Sequence, residues 1–438
     1  MIDIDYTALP NRSIIFLDIK SFFASVECIK HKMDPLTSYL VVCGRMHKSG
    51  GLVLASTPKM KQEYNIKTGS RQFQIPKWGH IKIVPPRMDL YLYVNSLIIK
   101  ILKRFVADED LLIYSIDEMC LDVTDYQKLW GDVVTCARTI QETIKKELWL
   151  TSTVGIGPNP LLAKIAMDTD AKKNPYHFAR WTYEDVATKL QSIRPLSKMW
   201  GIGGKTEEKL NDLGIYSVGD LANYDLDSLK ALMGVMGEEI FYHAWGVDYT
   251  VLNERKNRHN LPTRKSNISF GSSEILERDY SRRFDIETVL MEKADIVSKR
   301  LRKHKKLATV VKIGIGFSKN EEDDKGFSRQ MKIEPTNNSK EFRRQVIELF
   351  RRFYRHEVVR RISVTACNLI SDDMKPFNLF DDLEAIRKQE RLDKTVDHIQ
   401  SRYGFKSLVM AYSLKEAGTA IARSSRIGGH ETSVRTVH

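Results

Sequence analysis

The sequence predicts an α+β protein of several domains, and three observations carry that expectation. A chain of 438 residues exceeds what one ordinary core supports, so two to four domains are expected. Apolar residues make up 42% of it and aromatic residues 9%, enough to fill real cores. Short apolar runs alternate with helix-period stretches through the first 180 residues, which favours an α/β or α+β core around a mixed sheet.

The elements follow in order. "SIIFLD" (13–18) reads as a buried strand ending on an acid. Ser21 is placed to cap a helix in which Phe22, Val26, Ile29 and Met33 recur at helical spacing, and Pro35 closes it. Residues 38–88 mix strand-like runs such as "YLVVCG" and "GGLVLAS" with Gly, Pro and Lys, and read as a small separate lobe. An amphipathic helix is expected over 89–107, then two β runs within "LLIYSIDEMCLDV" (111–123), then a helix over about 129–147. "TSTVGIG" (151–157) is a further strand, and Asn159 as N-cap with Pro160 opens the next helix. Residues 180–248 read as helical, punctuated by "GIGG" and "LGI", and "NERKNRHNLPTRK" (253–265) as a linker. Beyond it, "SNISFGSSEI", "ATVVKIGIGF" and "RRISVTACNLI" enclose helix patterns at about 284–303 and 339–354, a compact α+β module. After 371 come "FNLFDD", a charged helix near 382–402, and "RSSRIGGHETSVRTVH", whose composition predicts disorder.

Charge narrows the partners. The net charge is +13, which suits a polyanion. Residues 263–370 hold 25 Lys and Arg against 15 Asp and Glu, so the excess is concentrated in the last module and predicts a binding face there. Five cysteines without a CxxC pair or a His/Cys cluster argue against zinc and a disulfide framework, and a reducing cytoplasm fits. The start "MIDIDYTALPNRS" carries no signal-peptide pattern, and no apolar run reaches membrane-spanning length.

The acids of the core pose the chemical question. Asp18 ends a buried strand, and Asp117 and Glu118 sit side by side between apolar runs. Adjacent strand residues face opposite sides, so both acids reach one point only if the chain bends there. Three converging carboxylates repel unless divalent cations lie between them, and Mg²⁺ prefers such oxygen ligands. Solvated turn acids, or an acid pair for glycoside hydrolysis, are the competing readings. "GIGGKT" (201–206) fails as a phosphate-binding P-loop, because Met199 stands where the first glycine belongs and no apolar strand precedes it. It fits a helix-hairpin-helix, whose glycine turn offers backbone N–H groups to a DNA phosphate; a plain interhelical turn is the bland alternative.

"DIKSFFASVE" (18–27), "SIDEMCLDV" (115–123), "TVGIGPNPLLAKIAMDTDAKKN" (153–174) and "MWGIGGKTEEKLNDLGIYSVGDLA" (199–222) resemble, in this order, four blocks of the Y-family translesion DNA polymerases. The likeness is to the bacterial UV-damage-repair, UmuC-like branch; it is sharp over 12–222 and looser to about 370. It implies a right-handed polymerase with an α/β palm (1–21 and 89–178), small fingers (22–88), a helical thumb with the helix-hairpin-helix (179–249), a linker (250–262), an α+β little finger (263–370) and a partly disordered C-terminal tail (371–438). It implies primer–template DNA and dNTPs as substrates. Two Mg²⁺ ions would be held by Asp18, Asp117 and Glu118 with the Ile19 carbonyl, while Asp122 is structural.

By the same resemblance Phe23 is the steric gate against a ribose hydroxyl, Phe22 belongs to the core stripe, and the backbone of that turn meets the triphosphate. Ser56, Lys59 and Lys172 are implied triphosphate contacts. Gln62 stands where relatives carry Arg or Lys, so Lys61 takes that role; Ala55 and Gly69 would lie near the templating base. Gly201, Gly203, Gly204 and Lys205 would touch DNA phosphates. "SKRLRKHKKL" (298–307), with Arg300, Arg302 and Lys303, and "FRRFYRHEVVRR" (350–361) would lie along the template. "PFNLFDD" (376–382) resembles a sliding-clamp peptide anchored by Phe377, Leu379 and Phe380, with Pro376 where Gln is usual. In the free protein the acids are expected to repel one another until Mg²⁺ arrives. The rival from another class is a non-catalytic DNA-binding or regulatory protein on a polymerase scaffold.

Overall fold

The computed structural model describes residues 4–44, 51–253, 268–318, 325–374 and 382–429. The chain divides into two units, Met1–Pro262 with the last residues from His430, and Thr263–Gly429. The first contains β1 (Ile14–Ile19), α1 (Phe22–Lys30), β2 (Leu40–Gly44), β3 (Leu52–Ser56), α2 (Pro58–Tyr64), β4 (Lys82–Val84), α3 (Met88–Leu102), β5 (Leu111–Ile113), β6 (Glu118–Asp122), α4 (Gln127–Trp130), α5 (Val133–Leu148), β7 (Ser152–Gly157), α6 (Pro160–Ala166) and β8 (Phe178–Arg180). Four short helices follow: α7 (Gly204–Asn211), α8 (Val218–Ala222), α9 (Leu226–Met233) and α10 (Val235–Ala244).

The main sheet runs β5-β6-β1-β7-β8, antiparallel except for the parallel β7–β8 pair. One face (Ile15, Leu17, Ile19, Met119, Leu121, Val154, Ile156) packs on α3 and α5 through Tyr91, Ile98, Ala137, Ile140 and Ile144. On the other face, Asp18 pairs with Glu118 and Thr153 in register, and Phe16 with Cys120 and Gly155. Helix α6 lies directly on this face. A Cβ on Gly155 would stand 2.1 Å from the Ala163 carbonyl oxygen, and one on Gly157 2.4 Å from the Ala163 nitrogen. These two glycines therefore set how closely α6 approaches the sheet. The N-cap anticipated at Asn159 is present: its Oδ1 accepts from Leu162 N at 2.9 Å, and its Nδ2 donates to Gly246 O.

A second, three-stranded sheet, β3-β2-β4, carries the small lobe. Its junction with α3 is held by Glu27, a fully buried acid that accepts from Arg87 Nε (2.9 Å) and Tyr91 Oη (2.7 Å). Helices α7–α10 wrap a separate core around Trp181, Leu210, Leu221, Leu229 and Phe241.

The second unit contains β9 (Phe270–Tyr280), α11 (Arg283–Lys303), β10 (Lys306–Phe317), β11 (Phe327–Thr336), α12 (Ser339–Phe353), β12 (Val359–Ser371), α13 (Leu383–Tyr403) and α14 (Ala420–Ser424). Its antiparallel sheet, β11-β10-β12-β9, is covered on one face by α11 and α12 through Val289, Val297, Phe342 and Val346.

Several expectations change here. Ser21 does not cap α1: it sits in the left-handed region (φ 50°) and makes no capping bond, its hydroxyl instead accepting from Lys61 Nζ at 2.8 Å. The helix expected over 129–147 is two, split at Gly131 (φ +78°), with Asp132 capping the second through Thr135 N. A short strand, β8, precedes the helical region. The polar strand β11 was not anticipated, because an edge strand with one exposed face lacks an apolar run.

The largest correction is the C-terminal segment. Up to Gly429 it belongs to the second unit, because charges that read as solvated have partners on α11. Arg302 donates to Asp397 at 2.7 Å, Glu292 accepts from Thr419 N (2.9 Å) and Ala420 N (3.1 Å), and the fully buried Lys293 pairs with Glu274, which also meets Arg423. The last residues of "RSSRIGGHETSVRTVH", and residues 254–262 of the linker, lie outside the described residues.

Gly155→Ala tests the close approach of α6. Forcing a methyl against helix backbone should cost about 2 kcal/mol or more and lower Tm by several degrees in a thermal melt.

Candidate active site and nucleic-acid interface

Burying carboxylates is costly unless charge compensates them, and the structure shows what compensates these. The sheet register places Asp18 and Glu118 side by side on the α6 face. Helix α6 continues as a wider π turn over Met167–Ala171, and Lys164, Asp168 and Lys172 follow one another at four-residue spacing. Together they form an unbroken chain of alternating charge. Lys164 Nζ bonds Glu118 and lies 3.2 Å from Asp168; Lys172 Nζ lies 2.7 Å from Asp168 and 2.7 Å from Asp18. The Lys164 side chain is only 6% exposed, with its ammonium 5.0 Å from the Phe16 ring centroid and 5.9 Å from that of Tyr114. Trp200 closes this corner by donating to Tyr114 Oη at 3.1 Å.

Asp18, Glu118 and Asp168 each offer a carboxylate oxygen within 4.8 Å of the others. An all-oxygen donor set of that span fits a hard divalent cation. Desolvation pushes the Asp18 carboxyl up to about 6, against the pull of Lys172 and with help from the nearby Asp117 and Glu118 charges. Lys172 is held above the ordinary lysine range: burial opposes its charge, but Asp18 and Asp168 outweigh it.

Among the described residues the acids that converge are Asp18, Glu118 and Asp168, while Asp117 lies beside them in the bend that joins β5 to β6. There Ser115 Oγ donates to Asp117 Oδ1 at 2.7 Å, and Asp117 O accepts from Ile19 N at 2.9 Å. The repulsion expected among the acids is partly offset, because Lys164 bonds Glu118 and Lys172 bonds Asp18. Asp122 is structural, accepting from Thr124 N and Oγ1.

Around the acids, Phe23 stacks on Tyr91 with centroids 4.4 Å apart and planes 13° from parallel. Tyr91 is itself fixed by Glu27, so the Phe23 ring has a rigid backing. Phe22 is 2% exposed, so its side chain belongs to the core and cannot meet a nucleotide. Of the proposed phosphate contacts, Lys61 and Lys172 reach the acids' surroundings. Lys61 bonds Ser21, and its ammonium is lowered chiefly by desolvation while Asp18 and Asp117 act to raise it. Ser56 is fully buried and donates to Ile66 O at 2.6 Å, which leaves it no role toward a ligand. Lys59 pairs with Glu63 on the outside of α2 (2.9 Å), and Gln62 is exposed there. Ala55 is buried, and Gly69 sits at φ +92° with open space where a Cβ would be. Lys20, unnoticed in the sequence, joins the basic group: its ammonium is lowered by desolvation and by Lys61, and it lies 3.3 Å from His177 Nε2.

The glycine turn before α7 has the expected form. Gly201 (φ +94°), Gly203, Gly204 and Lys205 are exposed, while Ile202 between them is buried. No side chain caps α7, and Thr206 N and Glu207 N both donate to Gly203 O at 2.9 Å.

In the second unit the basic residues at the end of α11 differ in how far they are engaged. Arg302 is engaged by Asp397, Asp393, Ser339 and the Asn337 carbonyl, so it holds α13 rather than a phosphate. Arg300 donates to Gly271 O, and Lys303 is exposed at the same helix end. The sheet face opposite α11 and α12 carries a second set of basic and polar side chains. Ile313, Ile315, Ile362 and Val364 point to the helices, and the alternate residues Lys312, Gly314, Arg361, Ser363 and Thr365 point away. Across β11 and β9 that face continues through Lys332, Gln330, Gly271 and Ser273. Phe377, Leu379 and Phe380 lie outside the described residues.

Family models and known proteins match this chain over most of its length. The impB/mucB/samB family model matches residues 17–168, the model of the family's C-terminal domain 268–379, and that of its HHH motif 183–215. "Putative UV-damage repair protein UvrX" of Bacillus subtilis (strain 168) is 41% identical over 431 residues, covering 98% of this chain and 100% of that protein. "DNA polymerase IV 2" of the same organism is 35% identical over 96% of this chain and 99% of its own length, and "DNA polymerase IV" of Moorella thermoacetica 32% identical over 93% and 97%. A solved Y-family DNA polymerase chimera of Dbh and Dpo4 shares the fold, with TM-score 0.62 and 24% identity over 82% of this chain and 99% of that one.

The raised Asp18 value has a stability consequence. In the unfolded chain an aspartate titrates near 3.9. Between that and about 6 the folded protein holds a proton that the unfolded one lacks. This group's contribution is therefore full below about pH 4 and lost as pH rises through 6. With chelator present, Asp18→Asn should raise Tm over wild type at pH 8, and the gain should shrink towards zero in melts at pH 4.5.

Proposed function

This chain belongs to the impB/mucB/samB family of Y-family DNA polymerases, and from that premise we propose that it extends a primer 3′-hydroxyl with dNTPs opposite damaged template by two-Mg²⁺ nucleotidyl transfer. The observation that carries the reading is the register of Asp18 with Glu118, next to Asp117, with Lys172 bonded to Asp18 and Lys20 and Lys61 near enough to feel its charge. Carboxylates for cations and ammonium groups for phosphates are what transfer of a nucleotidyl group requires.

Asp18, Asp117 and Glu118, with the Ile19 carbonyl, would hold the two ions, whose chemistry is to lower the pKa of the primer hydroxyl and to neutralise the leaving pyrophosphate. Asp117 reaches them by releasing its bond from Ser115. Lys61 and Lys172 steady the triphosphate, as does the backbone of the first turn of α1. Phe23, braced by Tyr91, occupies the space a ribose 2′-hydroxyl would need. The small residues Ala55 and Gly69 leave room beside the templating base.

The two units divide the DNA contacts. The turn at Gly201–Lys205 takes one backbone phosphate through N–H groups, without reading sequence. The open sheet face with Lys312, Lys332 and Arg361 takes others, and salt weakens such contacts. A sliding-clamp contact through Phe377, Leu379 and Phe380, a role in SOS-type damage tolerance and a cytoplasmic location belong to the same proposal. No described helix is long and apolar enough to cross a membrane.

Primer extension past a thymine dimer tests the chemistry. Wild type should extend with Mg²⁺ and stop on chelation, Asp117→Ala should abolish extension, and Phe23→Ala should admit ribonucleotides. Full activity of Asp117→Ala would remove Asp117 from the ion site, and binding of primer–template by wild type without any Mg²⁺-dependent extension would transfer the function to a non-catalytic DNA-binding role.

The DNA face has its own check. Lys312→Ala and Arg361→Ala should each weaken primer–template binding and reduce the slope of log K against log salt by about one. Arg302→Ala should instead lower Tm and leave that slope unchanged.

A further inference from the structure

Asp168 has no part in the chemistry above, yet it is the middle link of the charge chain, 3.2 Å from Lys164 and 2.7 Å from Lys172. Lys172 is shared between two carboxylates at equal distance, Asp18 on one side and Asp168 on the other. The two lysines differ in freedom. Lys164 has 6% of its side chain exposed and is enclosed under Phe16 and Tyr114, whereas Lys172 is 41% exposed and able to swing.

We propose that Asp168 is a positioning residue, the exchange partner of Lys172: it retains the ammonium when Asp18 turns its carboxylate to a divalent cation, and so keeps Lys172 in the site for the triphosphate. The inference rests on reading Asp18 and Glu118 as cation ligands. An ammonium hydrogen-bonded to Asp18 and a cation on the same carboxylate compete for the same lone pairs and repel each other. Without Asp168, Lys172 has Asp18 as its only carboxylate among those four bonds, and the competition becomes stronger. With Asp168, Lys172 gives up one of two bonds and keeps the other. Lys164 remains on Glu118 throughout, since it has no exposed path to leave by, and it holds that carboxylate at its place in the register. The site is thereby compensated before any cation arrives and needs only a short movement of one side chain to accept one.

Because Asp168 could instead be a direct ligand, the test is a double-mutant cycle on cation binding by the nucleotide-free full-length protein. Mn²⁺ is the probe, titrated by electron paramagnetic resonance, with Asp18→Asn defining the binding that belongs to this site. Lys172→Met removes the competitor and should tighten Mn²⁺ about threefold to tenfold, whereas Asp168→Asn should weaken it by a similar factor. In the Lys172→Met background the effect of Asp168→Asn should largely vanish. Asp168→Asn should also raise KM for dNTP more than it lowers kcat, and Asp168→Glu should restore most of the loss. Equal weakening of Mn²⁺ by Asp168→Asn in both backgrounds would overturn the exchange role and make Asp168 a ligand. Tighter binding in Asp168→Asn would overturn it as well. Failure of wild type to bind Mn²⁺ in an Asp18-dependent way would overturn the cation-site reading itself, so the two failures are distinguishable. Melting curves for each variant separate misfolding from loss of binding.

Discussion

The close contact between α6 and the sheet is the constraint on which the rest of the site depends. Glycine at 155 and 157 lets the backbone at Ala163 lie where a methyl group would otherwise be. That approach brings Lys164 onto Glu118 and, two turns later, Lys172 onto Asp18, with Asp168 between the two lysines. A helix held a side chain's width further out would leave Asp18 and Glu118 as uncompensated charges on a buried face, a costly arrangement. The helix is fixed from its other end too, because Leu161 N donates to Asp248 and Asn159 Nδ2 to Gly246 O in the segment after α10.

A polymerase of this family faces a conflict between folding and catalysis. Acids that attract divalent cations destabilise the protein that must hold them together beforehand. The five-residue chain Glu118–Lys164–Asp168–Lys172–Asp18 resolves it with internal cations. One is locked and one is movable, so the fold keeps its compensation while the site stays exchangeable. Basic residues in the second unit divide in a comparable way. Arg302 and Lys293 are consumed in holding the C-terminal segment and β9 to α11, and Lys312, Lys332 and Arg361 are left on the open sheet.

How far the site was legible differs from residue to residue. Asp18, Asp117, Glu118 and the glycines before α7 stand out in the sequence because they lie in short, local patterns with a definite chemistry. Lys164 and Asp168 stood in a quoted block, and their spacing to Lys172 was a readable helical stripe. Only the missing knowledge of which sheet face α6 would cover hid their role. Ser56 was misassigned because its neighbour relations along the chain say nothing of the Ile66 carbonyl ten residues on. Arg300, Arg302 and Lys303 drew the DNA-binding role because charge is densest there, whereas Lys312, Lys332 and Arg361 are spread over three strands and come together only by pairing.

The sequence by itself determined most of the α+β elements, the glycine turn, the helix cap at Asn159 and the acids Asp18 and Glu118, since each follows from local propensity or from side-chain chemistry over a few residues. Tertiary structure alone decided the partners of those acids, the conversion of the C-terminal segment from apparent tail to packed element, and which basic side chains stay on the open sheet face. The physical reason is common to all three. A charge's role depends on what stands within about 4 Å of it, and in this fold those neighbours come from strands and helices tens of residues away, such as Glu118 and Lys164 or Arg302 and Asp397.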